Sequence, residues 1–274
     1  MDEGKIRKRV RDRYAGIARQ GGSCCGPASC CGSAGAAEAA SRRIGYSGRE
    51  IDAAPRGANL GLGCGNPTAL AALKGGETVL DLGSGAGFDC FLAARKVGPG
   101  GKVIGVDMTP EMVGKARENA RKGDYGNVEF RLGEIENLPA ADGSVDAVIS
   151  NCVINLSPDK ARVFVEAYRV LRPGGRLMIS DIVLSGELPA AVAGSLAAYA
   201  GCVAGAVPRE DYLRLVEAAG FRDVRIVREN RFEIPEEDPV AYAASIRGDA
   251  GIPPEAVRAA MGSIVSVHVF GEKP

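Results

Sequence analysis

The chain has 274 residues, 46% hydrophobic and 25% charged, which is enough to bury a full core for one main domain with appended pieces. Lys+Arg and Asp+Glu balance at 34 each, so no net field draws the chain to nucleic acid or to an anionic membrane, and small-molecule partners are expected. No run approaches the roughly 18 apolar residues of a membrane span, and "MDEGKIRKRVRDRY" has no apolar core behind its charges, so a cytoplasmic protein is expected.

Residues 3–19 set Ile6, Val10, Tyr14 and Ile17 at helical spacing among seven Lys or Arg residues, which predicts a basic amphipathic helix docked on the body. "GGSCCGPASCCGSAGAAEAAS" follows, Gly/Ser/Ala-rich with two Cys-Cys pairs, and reads as a flexible loop. From about residue 67 the pattern becomes regular. Short apolar or β-branched runs at 77–83, 101–107, 127–132, 145–151 and 175–182 alternate with helical patterns near 86–97, 110–122 and 158–171. That alternation predicts an α/β fold with a mostly parallel sheet and helices on both faces. Pro173 and Gly174 of "VLRPGG" stop the last of those helices. Residues 188–220 read as two more helices, and "FRDVRIVREN" and "SIVSVHVF" as final strands paired with each other.

The turn "VLDLGSGAGFD" places Gly83, Gly85 and Gly87 between a strand and a helix, where the missing Cβ lets backbone approach a ligand. The spacing is G-x-G-x-G rather than the dinucleotide G-x-G-x-x-G, and Asp81 precedes the turn. Asp107 ends the second strand, 24 residues after Gly83, where an acidic side chain meets ribose hydroxyls in doubly wound folds. Glu134 and Ile135, in "GEIENLP" after the third strand, suit an adenine: a carboxylate for the amine and an apolar face for the ring. Acidic residues at three successive strand ends disfavour a phosphate and suit a nucleoside with a cationic tail.

"VLDLGSGAGFD", "VDM", "GEIENLP" and "LRPGG" together resemble the class I S-adenosylmethionine-dependent methyltransferases over roughly residues 75–185. The resemblance implies a Rossmann-like, seven-stranded sheet whose last strand is antiparallel. It places Gly83 and Gly85 against the methionine part beside Asp81, Asp107 on the ribose, Met108, Glu134 and Ile135 around the adenine, and the backbone of Asn151 beside the reactive sulfonium. The division expected is an N-terminal basic helix and cysteine-rich loop over 1–66, the S-adenosylmethionine-binding domain over 67–185, and helices with the C-terminal strands over 186–274.

Eight cysteines in a chain expected in a reducing compartment signal metal, redox or catalytic thiols rather than disulfides. Cys90, inside "FDCFLAARKV", reads as a small core residue. Cys64 in "GLGCGNP", Cys152 in "SNCVINLSPDK" and Cys202 in "AGCVAGA" lie in turn-like settings, too far apart in sequence for a zinc knuckle. A fold could still bring them around a soft centre. Trivalent arsenic has three sulfur ligands and a lone pair able to attack a methyl sulfonium, with no proton to remove. The single histidine, His268, lies in a strand-like run and is expected to be structural, which suits a reaction without a histidine base.

These three cysteine segments are similar to those of arsenite methyltransferases, a likeness that runs from about 44 to 206. It implies that Cys64, Cys152 and Cys202 hold arsenic and carry catalysis, and that an N-terminal cysteine helps in sulfur exchange. Cys24, Cys25, Cys30 and Cys31 all stand as candidates for that last role. A thiol reductant, glutathione or thioredoxin, is the expected co-substrate, for arsenite and then methylarsenite. Two alternatives remain open: a carbon methyltransferase of a quinone or sterol-like lipid, and a non-catalytic thiol-rich protein that binds metalloids.

Overall fold

A strand buried on both faces must be apolar at every position, and β1 (Thr78–Leu82) nearly is: Val79, Leu80 and Leu82 are 0% exposed. Leu80 and Leu82 pack in one core cluster and Val79 in another, as the two-residue period of a strand requires. The computed structural model describes residues 2–20, 34–231 and 252–274. Beside β1 lie β2 (Lys102–Asp107), β3 (Val128–Leu132), β4 (Val145–Asn151) and β5 (Leu171–Leu184), all parallel to their neighbours. The sheet continues into β7 (Ile264–Glu272), antiparallel to β5, and ends in β6 (Arg222–Arg231), antiparallel to β7. The order is β3-β2-β1-β4-β5-β7-β6. This is the seven-stranded class I methyltransferase fold, with the two C-terminal strands paired as expected.

Helices cover both faces. The first of them, α1 (Glu3–Gln20), precedes the sheet in sequence and is followed by α2 (Ala34–Arg43), α3 (Gly48–Ala53) and α4 (Pro67–Leu70). The crossovers are α5 (Phe88–Val97), α6 (Pro110–Lys122) and α7 (Lys160–Val170), the last capped by Asp159, whose carboxylate accepts the Arg162 N–H at 2.9 Å. Phe91 of α5 and Met178 of β5 fill one core, and Phe164 of α7 and Leu177 of β5 the other. Chain order reverses between β1 and β4, so the carboxyl ends of these two strands open the crevice where such sheets bind ligands.

Several local expectations change. Residues 34–41, expected to be loop, belong to α2, because the alanines of "AGAAEAASRR" favour helix once Ala37 packs inward. Residues 188–220 hold three helices rather than two: α8 (Ala190–Ala193), α9 (Leu196–Ala200) and α10 (Arg209–Ala218), with Gly194 and Gly201 ending the first two. Arg172 to Gly175 follow the helix stop but belong to β5, as a bulge between the pairs Val145–Leu171 and Ala147–Arg176. A further helix, α11 (Pro254–Gly262), precedes β7. Among the described residues no helix is long and apolar enough to cross a membrane.

The basic helix α1 docks as expected, with Ile6, Val10 and Ile17 buried. Its polar side reaches the sheet: Arg7 approaches Glu134 at 3.9 Å and Glu136 at 3.6 Å, and Arg11 approaches Glu134 at 3.5 Å. Half-exposed pairs of this kind contribute about 0–1 kcal/mol each, so the buried apolar stripe holds the helix.

Gly105, mid-way along β2, tests how tightly the central layer is packed. A Cβ there would lie 2.7 Å from Phe130 Cδ1 and Ser84 Oγ and 2.8 Å from Cys90 Sγ. Gly105→Ala should therefore destabilise the chain by about 1–3 kcal/mol in urea unfolding, and an unchanged midpoint would show that this layer yields freely.

Candidate active site

At the crevice lies a cleft lined by the glycine turn, the ends of β1, β2 and β4, and α1. Gly83 and Gly85 have φ of +67° and +51°. A Cβ on Gly83 would strike Val153 Cγ2 at 2.3 Å, whereas one on Gly85 would meet no protein atom within 4 Å. Gly83 is thus needed for packing, and Gly85 borders open space.

Carboxylates dominate the polar wall. Asp107 is fixed by N–H groups of Gly85 at 2.9 Å and Thr109 at 2.8 Å, one on each oxygen, leaving lone pairs for further donors. Asp81 accepts the Cys90 thiol at 3.2 Å, and burial, then the neighbouring Asp89, pushes its carboxyl well above the ordinary range. Asp89 accepts from Tyr46 Oη at 2.6 Å and Asn151 Nδ2 at 3.0 Å, and burial raises it to about 6. The basic side chain in the lining is Arg7, which already faces Glu134 and Glu136. Buried carboxylates that form no ion pair among the described residues make a site that favours a positively charged group. Met108, Met112, Ile135 and Leu156 supply the apolar part of the wall.

One expected residue stands elsewhere. Glu134 does not line this cleft; it turns to Arg7 and Arg11 and borders a shallow surface hollow with Leu132 and Pro110. The basic helix α1 closes over this strand end and neutralises the side chain. Glu136, two residues on, lines the cleft instead, held by Ser157 Oγ at 2.7 Å.

The three turn cysteines converge behind the cleft. All are buried, and they share one apolar cluster with Ile6, Val10, Tyr199 and Met261. Cys152 Sγ lies within 4.8 Å of Cys64 Sγ, and among the three thiols Cys152 alone lines the cleft. Cys202 Sγ donates to Cys152 O at 3.1 Å and lies 4.0 Å from Tyr14 Oη. Cys64 Sγ donates to Ser180 O at 3.4 Å. Cys90 stands apart in the core of α5, as expected.

The backbone accepts strain to achieve this. Cys152 and Cys202 have φ of +59° and +64°, a left-handed conformation that costs a residue with a Cβ about 1–3 kcal/mol. Glycine would relieve that cost, so simple space filling gives no reason for a thiol here. Cys64 lies between Gly63 and Gly65, where a Cβ would sit 2.7 Å from Asn151 Nδ2 and from His268 Nε2 respectively. The two glycines let this loop lie flat on the sheet end. Asn151 Oδ1 then accepts the Cys64 N–H at 3.0 Å, and Ser266 Oγ donates to Cys64 O at 2.6 Å.

All three thiols are held protonated. Burial raises Cys64; the hydrogen bond with Cys152, then burial, raises Cys202 well above the thiol range. Cys152 is drawn down by its bond to Cys202, but the Cys64 thiol and burial outweigh this and leave it well above that range. Beneath them sits buried Asp181, whose carboxylate accepts from Asn155 Nδ2 at 2.9 Å, Ile182 N at 2.9 Å and Tyr212 Oη at 3.1 Å. Burial brings it to about 6.

His268 is 2% exposed on β7, accepts the Asn66 N–H at 3.3 Å behind the Cys64 loop, and is lowered to about 4 by burial. It is neutral and outside the cleft lining, the structural place expected for it. Tyr14, Tyr46, Asp89, Glu136 and Asp181 escaped the sequence reasoning. Asp89, two residues beyond Gly87, and Glu136, two residues beyond Glu134, had a local signal; the others arrive from elements away from the motifs. Cys24, Cys25, Cys30 and Cys31 lie outside the described residues.

Residues 73–220 match a family model described as a methyltransferase domain. The arsenite methyltransferase of Halobacterium salinarum is 55% identical over 232 residues, 82% of this chain and 59% of the relative. The human arsenite methyltransferase is 40% identical over 169 residues, 58% of this chain and 45% of the relative. Among solved structures, an arsenic(III) S-adenosylmethionine methyltransferase from Chlamydomonas reinhardtii superimposes with a TM-score of 0.62 at 35% identity, covering 85% of this chain and 73% of that one. The chain spans about half to three-fifths of the length of the curated arsenite methyltransferases it matches. With a family model covering more than half of its length and relatives this similar, the chain belongs to the methyltransferase-domain family, in the group of the arsenite methyltransferases.

Proposed function

We propose that the chain transfers methyl groups from S-adenosylmethionine to trivalent arsenic held by Cys64, Cys152 and Cys202. The observation that carries this is the convergence of three sequence-distant thiols, two of them on left-handed backbone, behind a cleft walled by carboxylates. S-adenosylmethionine, when bound, supplies an electrophilic methyl group on a sulfonium sulfur. Asp107 receives the ribose hydroxyls, Asp81 and Asp89 the cationic methionine end, Met108 and Ile135 the adenine, and Gly83 and Gly85 allow the close approach. Glu134 acts from the rim through α1. Asn151 ties the Cys64 loop to the end of β4 and so sets where the thiols stand relative to the methyl group.

Soft thiolates select a soft centre, and a pyramidal site of three sulfurs leaves the arsenic lone pair free. Cys152, the one thiol of the three in the cleft wall, directs that lone pair toward the cofactor. Each thiol proton leaves with a hydroxide of arsenite as water, and the attacking lone pair carries no proton, so no histidine base takes part. Forming the arsenic–carbon bond oxidises arsenic by two electrons. A further round therefore needs a reductant, glutathione or thioredoxin, which a cytoplasmic setting provides. A quinone or sterol carbon methyltransferase would leave the three converging thiols without a task.

Four experiments test this. Incubation with arsenite, a thiol and labelled S-adenosylmethionine, followed by separation of arsenic species, should yield methylated arsenic. Cys152→Ser should bind S-adenosylmethionine almost normally by calorimetry yet lose methylation of arsenite and methylarsenite, because a hydroxyl is a hard ligand that stays protonated. Near-normal turnover would remove Cys152 from the site. Asp107→Ala should weaken S-adenosylmethionine binding by about tenfold to a hundredfold, the equivalent of about 1.5–3 kcal/mol for hydrogen bonds to a charged group. Unchanged affinity would mean that the nucleoside lies elsewhere. One of Cys24, Cys25, Cys30 and Cys31 loads the metalloid, so serine at all four should slow methylation of arsenite more than that of methylarsenite. Equal loss on both would place them in the fixed site instead.

A further inference from the structure

Arsenic bonded to three sulfurs gives the carboxylate beneath them no task. The ligand atoms of Cys64, Cys152 and Asp181 all lie within 4.8 Å of one another, and all three residues are buried. Cys202 lies outside this group, and its Sγ donates to Cys152 O at 3.1 Å. Two sulfurs and one oxygen in this reach match three of the four donors of a tetrahedral d10 cation, whose sulfur legs of about 2.3 Å give edges of about 3.8 Å. The cluster needs to contract by about 1 Å at most on the edges it shows.

The carboxylate is also supported as a ligand would be. Asn155 Nδ2 and the Ile182 N–H hold one oxygen at 2.9 Å each. Tyr212 donates to the other at 3.1 Å, leaving that oxygen a free lone pair. Metal-binding carboxylates are oriented by hydrogen-bond donors in this way. Of the nearby basic groups, Lys160 is turned to Ser157 O at 3.0 Å.

We infer that the thiol cluster is also a site for a thiophilic divalent cation, Zn2+ or Cd2+, with Asp181 as its oxygen ligand, and that such an ion excludes the metalloid. On binding, Cys64 and Cys152 release their protons to solvent and become thiolates, so two thiolates and one carboxylate meet the two positive charges. A four-coordinate d10 cation has no lone pair to offer a methyl group, so the complex is inert. The competition rests on the arsenic reading above; the cation site does not.

The test uses the full chain with Cys24→Ser, Cys25→Ser, Cys30→Ser and Cys31→Ser, which removes the other clustered thiols. Zinc X-ray absorption on the one-to-one complex should show two or three sulfurs at about 2.3 Å and an oxygen at about 2.0–2.2 Å. Asp181→Asn should weaken Cd2+ binding by about a hundredfold, since losing even a neighbour of a ligand costs about 10–100-fold. The same substitution should leave unchanged the arsenite retained after gel filtration. A shell of sulfur alone, no Zn2+ binding, or Cd2+ binding by Asp181→Asn as tight as the parent's would overturn the inference. If Asp181→Asn fails to fold, the absorption measurement on the parent decides. Zn2+ binding together with no retention of arsenite by the chain that keeps all eight cysteines would uphold the cation site and overturn the arsenic reading.

Discussion

The carboxamide of Asn151, at the end of β4, is the tie on which the site depends. Its oxygen accepts the Cys64 N–H, and its nitrogen donates toward Tyr46 Oη, Gly65 O and Asp89 Oδ2. One side chain thereby fixes the Cys64 loop, the segment before α3 that carries Tyr46, and the start of α5. Each such bond contributes about 0.5–1.5 kcal/mol net, but a buried carboxamide deprived of partners would cost more than the bonds contribute. The next residue, Cys152, turns left-handed, so the strand end that anchors the loop also aims the thiol.

Charge around the crevice is divided in two. The cleft wall carries Asp81, Asp89 and Asp107, raised by burial and awaiting a cation. The pocket behind it keeps three neutral thiols in apolar surroundings. An anion would be repelled by the first region, and a hard, hydrated ion would lose its water in the second without compensation. A soft centre that trades hydroxide for thiol at no net charge suits the second, and a sulfonium with an ammonium tail suits the first.

The basic helix α1 joins the two regions. Its buried stripe meets the thiol cluster through Ile6 and Val10, Tyr14 lies beside Cys202, and Arg7 reaches the acidic end of β3. The sequence marks this helix as docked on the body by its apolar stripe, with a basic outer face. Docked, it is part of the wall.

The amino-acid sequence by itself determined the α/β alternation, because buried parallel strands need continuous apolar runs and their helices need a 3.6-residue period. It also marked the glycine turn, Asp107 and the three turn cysteines, whose signals are local: a glycine spacing, a strand end, a thiol among glycines. It gave no sign that Glu134 turns to Arg7 and Arg11, because that is a contact between elements more than a hundred residues apart. Only the tertiary structure decided that Cys64, Cys152 and Cys202 meet, that Cys152 alone of them faces the cleft, and that Asp181 lies beneath them. Those facts follow from sheet order and from left-handed backbone at two cysteines, and neither leaves a periodic trace along the chain.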